Sequence, residues 1–293
     1  MSDQYINDRP QPDAAARMLQ ASDAVSIRVR EAIDTRTQAV IDAWLAVAVL
    51  LYALAFAFSG TGLIPGIVHT PTDGLSVGFL VLSAFLAAST LCDGLGQSLH
   101  RAKRPTVKRR RFVYGLASVL PLLSIGYLAF FAPGASLPVA LSVVSVAAAP
   151  VVVLAIRSAL HAKRAGVRRP EAALSGVLSA SGRTGTAVLG LWLGAIGVVT
   201  APAFGLAGIV VPTIFFLFLF GTRSTRIGLD RLAEDWGRTQ WTAFGCSYVF
   251  TLTLSVVLAR TSWDLTVVSV VGGILIAAPV VVAAFRPAPI WEA

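Results

Sequence analysis

Apolar residues come in runs of about twenty, broken by short polar segments, and this rhythm predicts membrane-crossing helices. The runs are Val40–Phe58, Leu75–Cys92, Phe112–Phe131, Pro138–Ile156, Gln240–Ala259 and Leu265–Phe285. Thr186–Phe220 adds 35 residues without a charge, and reads as two short spans turning at Thr200-Ala201-Pro202. Ser59–Gly74 carries Gly60, Gly62, Pro65, Gly66, Pro71 and Gly74, the composition of an outer turn. Before the first span, Met18, Ala21, Val25, Val29, Ala32 and Ile33 recur at helical steps and predict an amphipathic helix over Ala14–Ile33. In the connector Thr222–Thr239, Leu229, Leu232 and Trp236 share one helical face, and Arg231 and Asp235 stand four apart, a spacing that suits an ion pair.

Charge orients these spans. Ser98–Arg111 holds seven cations, Arg101, Lys103, Arg104, Lys108, Arg109, Arg110 and Arg111, and a block this basic stays cytoplasmic. With both ends inside and two spans in Thr186–Phe220, 23 of the 24 Lys and Arg residues face the cytoplasm, and Arg260 alone lies outside. A single span there would put Arg223, Arg226, Arg231 and Arg238 outside, against the rule. The expected fold is therefore an all-α, polytopic bundle of about eight transmembrane helices with cytoplasmic termini. Residues 1–39 form a cytoplasmic segment, 40–285 the membrane domain and 286–293 a cytoplasmic tail.

Composition agrees with the pattern. Of 293 residues 56% are hydrophobic and 13% charged, about half the charge of a soluble domain, so little water-facing surface can be dressed. Arginine far outnumbers lysine, which with the Ala, Val and Gly content points to a GC-rich bacterium and its cytoplasmic membrane. The two cysteines, Cys92 and Cys246, fall within or at the ends of spans and do not suggest a disulfide framework. LHAKRAGVRR at Leu160–Arg169 echoes LHRAKRPTVKRR at Leu99–Arg110, as two basic exits after even-numbered spans.

Candidate chemistry is sparse. Asp42, Asp93, Arg183 and Asp264 all fall near span ends, so no midplane ionisable group marks a proton path. Asp93-Gly94 resembles the opening of the CDP-alcohol phosphotransferase signature, but the Ala-Arg pair and the paired aspartates that should follow are missing. The sequence calls for no catalytic residue, metal or cofactor. The basic loops lack the aromatic interleaving of a nucleic-acid surface, and read as contacts for anionic headgroups or for an acidic protein partner.

Two stripes remain inside the spans. Gly190, Gly194 and Gly197 share a helical face that can pack against a neighbour in the chain or form a homo-oligomer contact. Ser247, Thr251 and Ser255, with Tyr248 beside them, make a hydroxyl column that can hold helices together or line a polar path. A substrate path would run along this face and the broken region around Pro202 and Pro212.

The functional expectation is a transport-type protein, a permease or exporter component for a small, mostly uncharged or amphipathic compound. The alternatives are a non-catalytic scaffold or sensor, recruiting a partner through its cytoplasmic amphipathic helices, and third a membrane-embedded enzyme.

Overall fold

The computed structural model describes residues 35–60, 71–100, 136–164, 174–222, 228–261 and 263–290. Among them eight helices form: α1 (Thr35–Gly60), α2 (Pro71–His100), α3 (Leu137–Arg164), α4 (Ala180–Val199), α5 (Ala207–Gly221), α6 (Leu229–Asp235), α7 (Arg238–Arg260) and α8 (Leu265–Ala284). Five are long and apolar enough to cross a membrane, namely α2, α3, α4, α7 and α8, and α1 and α5 carry shorter apolar stretches. The expected third span, Phe112–Phe131, lies outside the described residues. So do the amphipathic segment Ala14–Ile33 and the cations Arg101, Lys103, Arg104 and Lys108–Arg111.

Several boundaries differ from those read in the sequence. The helix α2 starts at Pro71, so Pro71 and Gly74 open a helix rather than close a loop. Proline is favoured there because its missing N–H falls where no helical partner exists. At the other end α2 runs past Asp93 to His100, and α3 runs past Ile156 to Arg164. Hydropathy marks where lipid ends, whereas the backbone ladder continues into water. The helix α1 begins before Val40, which leaves Asp42 two turns inside it. A helix dipole acts mainly in the first turn, so the carboxylate depends on side-chain partners, and the Ser158 hydroxyl of α3 donates to it.

The helix α2 is the centre of the bundle and contacts α1, α4, α5, α6 and α7. Leu80, Val81, Ala84, Phe85, Ala87, Ala88 and Leu91 are all buried along it. The helices α1 and α3 pack against each other, and Ala53 on one clusters with Ala140 and Val144 on the other. Association in lipid comes from close packing rather than from expelling water, so short side chains suit the contact. Val139, Val146, Val153 and Ile156 on α3 stay exposed, as lipid-facing positions should.

The sharpest approach is α4 on α8. A methyl added at Gly194 would stand 2.7 Å from the Ala277 Cβ and 2.7 Å from the Gly273 carbonyl oxygen. One at Gly273 would stand 2.6 Å from the Gly194 carbonyl oxygen. Gly190 and Gly197 face the same helix, near Val280 and Ile276. The small-residue stripe is thus occupied within the chain.

Between α4 and α5 the chain turns through one 3₁₀ turn at Pro202–Phe204. Gly205 follows with φ of 48°, a value that glycine tolerates and other residues resist. Thr186–Phe220 is therefore two helical pieces meeting at the expected turn.

In the sequence, residues 286–293 read as a cytoplasmic tail with no strand assigned to it. Instead β1 (Leu174–Val177) and β2 (Pro287–Ile290) pair as an antiparallel ribbon, with Ser175 opposite Pro289. The ribbon ties the segment before α4 to the segment after α8, so both lie at one end of the bundle.

Candidate functional site

The hydroxyl column of α7 turns inward. Ser247, Thr251, Ser255 and Tyr248 are all buried. Ser247 Oγ donates to the Ile276 carbonyl of α8 at 2.7 Å, and Tyr248 Oη to the Ala48 carbonyl of α1 at 2.8 Å. Thr251 donates to the Ser247 carbonyl at 2.9 Å and Ser255 to the Leu252 carbonyl at 2.7 Å, both within α7. Each hydroxyl thus gives its proton to a backbone carbonyl, two of them across helices. Pro202 is exposed in the turn, and Pro212 is buried inside α5.

A different face of α7 lines a groove of about 680 Å³. Its α7 wall is Arg238, Thr239, Thr242, Ala243, Cys246 and Phe250, and its α8 wall is Leu275, Ala278, Pro279, Val282, Ala283 and Arg286. Ser247, Thr251, Ser255, Tyr248, Pro202 and Pro212 are not among these residues. The two helices touch along the neighbouring seam, where Ser247 meets Ile276 and Leu254 crowds Gly272. Beside that seam the short side chains of Ala243, Cys246, Ala278 and Ala283 leave space. Phe250, Leu275 and Val282 are well exposed, so the groove opens on the flank of the bundle.

The helices run antiparallel, which sets Arg238 at the start of α7 against Arg286 just past the end of α8. Among the described residues neither guanidinium has a carboxylate partner. Gln240 fixes this end. Its Oε1 accepts from the Gly237 N–H at 3.1 Å, and its Nε2 donates to the carbonyls of Ala283 at 3.0 Å and Arg286 at 3.2 Å. Gln240 is fully buried; one of these bonds caps the start of α7 and the other two tie it to the end of α8. Sequence reading passed over it as the first residue of a span. The usable signal was a Gln three residues after a Gly, the glutamine half of a capping box.

An aromatic cluster packs behind the same end. Trp236 lies edge-on to Trp241 at 5.5 Å, Trp44 edge-on to Trp241 at 5.7 Å, and Trp44 stacks on Phe244 at 5.7 Å. Trp236 Nε1 donates to Thr186 Oγ1 at 2.9 Å, and Thr186 donates to the Gly182 carbonyl at 2.7 Å. The apolar face of the connector helix α6, Leu229, Leu232 and Ala233 with Trp236 beside it, is buried in the protein's own core. Asp235 faces Ser179 rather than Arg231: the Ser179 hydroxyl donates to it at 3.3 Å while accepting from the Gly182 N–H. A carboxylate is favoured there, at the N-terminus of α4.

The described cysteines are both free, Cys92 buried and Cys246 exposed in the groove. Trp192 Nε1 and Ser269 Oγ are buried without a partner among the described residues, and neither lines the groove. No group of His, Cys, Asp and Glu among the described residues could hold a metal ion. His161 is exposed on α3, and His69 lies outside the described residues.

Comparison with family models, curated proteins and solved structures finds no match for this chain. What stands without a relative is a helical protein in which several helices are long and apolar enough to cross a membrane, with a side-opening groove between the last two.

Proposed function

We propose that the chain is an eight-span protein of the bacterial cytoplasmic membrane with both ends inside, and that it moves a small, mostly uncharged or amphipathic compound. Seven apolar helices together with the apolar run Phe112–Phe131 support the span number. The distribution of 23 cations on one side supports the orientation. The β1–β2 ribbon supports it independently, because the segment before α4 and the tail need the same side of the membrane to pair.

The observation that carries the transport reading is the α7–α8 groove, apolar along its length and cationic at one end. A compound dissolved in the bilayer could enter such a groove sideways. The route therefore runs along the flank of α7, not along its hydroxyl column, where the protons already go to carbonyls. The test is accumulation of a panel of amphipathic compounds in whole cells. Cells making the native chain should differ from cells making an Ala278→Phe variant at matched expression. Equal accumulation across the panel rejects transport.

The second reading is a scaffold or sensor that docks a partner at the cytoplasmic face. The apolar face of α6 is taken up internally, so a partner there would meet only its exposed charged edge at Arg231 and Asp235. A charged partner would find that edge available.

A further inference from the structure

The groove has one charged end and one apolar end, and its dimensions say what fits between them. From Arg238 to Phe250 along α7 is twelve residues, or roughly 18 Å at the helical rise. One leaflet of a bilayer is about 15 Å of hydrocarbon, half of the full core. The groove is thus as long as one leaflet is thick. Its open side faces outward between Phe250, Leu275 and Val282, residues that suit acyl chains.

The charged end holds Arg238 at the start of α7 and Arg286 just past the end of α8, with the hydroxyl-bearing Thr239 beside them. Gln240 grips the Arg286 carbonyl, so the backbone that carries one guanidinium is anchored to the helix that carries the other. The α7 N-terminus adds a partial positive charge at the same place. Two guanidiniums without a described carboxylate partner complement a phosphodiester, since arginine donates in a fork that matches phosphate oxygens.

We infer that the α7–α8 groove binds an anionic phospholipid of the leaflet that Arg238 and Arg286 face, with its phosphate between the two arginines and an acyl chain along Ala243, Cys246, Ala278 and Phe250. This deepens the transport reading by naming the class of molecule at that site, and it rests on that groove being accessible from the bilayer. A zwitterionic lipid has the same chains and the same phosphate but carries a compensating cation, so it gains less from the arginine pair.

Native mass spectrometry of the full chain, released from detergent with phosphatidylglycerol or phosphatidylcholine of identical chains, reads the number and affinity of bound lipids. The native chain should hold phosphatidylglycerol about tenfold more tightly than phosphatidylcholine. The Arg238→Gln, Arg286→Gln double variant should lose that preference, and Arg260→Gln, at the far end of α7, should keep it. Ala278→Phe, which fills the groove below the arginines, should weaken both lipids. Equal binding of the two lipids by the native chain overturns the inference, as does an unchanged preference in the double variant. Competition by soluble glycerol phosphate as strong as by the lipid would also overturn it, because the chain would then contribute nothing. Specific lipid binding in a protein that moves nothing in the cell assay would refute transport and leave this inference standing. Transport that depends on Ala278 without any anionic preference would do the reverse.

Discussion

Replacing Gly194 by alanine puts one methyl where α4 and α8 leave no room. The added carbon would meet the Ala277 Cβ and the Gly273 carbonyl oxygen, each at 2.7 Å. Carbon contacts are best at about 3.5–4.0 Å, so the helices have to part by roughly 1 Å. Two of the colliding groups are backbone or a Cβ, which cannot swing aside as a long side chain does. A radial gap of that size forfeits up to half of the dispersion attraction of the lining atoms, and overpacking of this kind costs about 1–3 kcal/mol. Against it stands a gain of about 1 kcal/mol from the better helix propensity of alanine. A net loss of up to about 2 kcal/mol is expected, and the cost relative to a glycine-to-alanine change without the clash is the full overpacking term of about 1–3 kcal/mol. Gly273→Ala should cost at least as much, since its methyl would stand 2.5 Å from Val198 Cγ2 and 2.6 Å from the Gly194 carbonyl. The two sites share one contact, so once the helices have separated for the first methyl the second is partly accommodated. The double variant should fall short of the sum by 0.5 kcal/mol or more. Gly78→Ala on α2 is the control, because nothing lies within 4 Å of its added carbon. Unfolding of purified protein by increasing mole fraction of sodium dodecyl sulfate, followed by circular dichroism, gives the energies. Gly194→Ala as harmless as Gly78→Ala would refute the close crossing, and full additivity would refute the shared contact.

Three other outcomes are expected. Gln240→Leu should destabilise the protein by about 1–3 kcal/mol in the same assay, because it strands the Gly237 N–H and the carbonyls of Ala283 and Arg286; a change below 0.5 kcal/mol would mean water replaces the clamp without loss. Gly205→Ala should cost about 1–3 kcal/mol through backbone strain alone, since φ is 48° and nothing crowds the added carbon; a stabilised variant would show that the turn adopts another backbone. In a background lacking both native cysteines, thiol labelling from outside should reach Thr72→Cys and Ser262→Cys and miss Thr225→Cys, and Ser175→Cys should crosslink to Pro289→Cys across the ribbon; outside labelling at Thr225→Cys would put the connector on the wrong face.

Much of the helical layout was legible because hydrophobic length is a local property. Runs of twenty apolar residues cannot be dressed for water, and the turn at Pro202 was marked by a proline between two uncharged stretches. Helix ends were less legible: Pro71, His100 and Arg164 sit where the ladder continues beyond lipid, and hydropathy is blind to that. The ribbon was invisible because it pairs two four-residue segments more than a hundred positions apart, one of them containing two prolines. The hydroxyls at 247, 251 and 255 could be found by spacing, but spacing does not say whether a hydroxyl meets a carbonyl or a cavity. The groove depended on which face of α7 turns away from the seam with α8, and that is fixed by where Ser247 and Leu254 make contact. The arginines at its end were counted for topology, and only the antiparallel pairing of α7 with α8 brings them to one place.

The central claim is that the flank of α7, and not its buried hydroxyl column, is the working surface. Two variants separate the alternatives: Ala278→Phe, which fills the groove, and the triple Ser247→Ala, Thr251→Val, Ser255→Ala, which removes the column. Interhelical hydrogen bonds in membranes average about 0.6 kcal/mol, so the triple variant should fold and insert. Both are reconstituted into vesicles of defined lipid, and the flux of an amphipathic compound moved by the native chain is measured at matched protein density. The account predicts that Ala278→Phe loses the flux at least tenfold while the triple variant keeps it. Flux that survives the filled groove and disappears with the hydroxyls would contradict it.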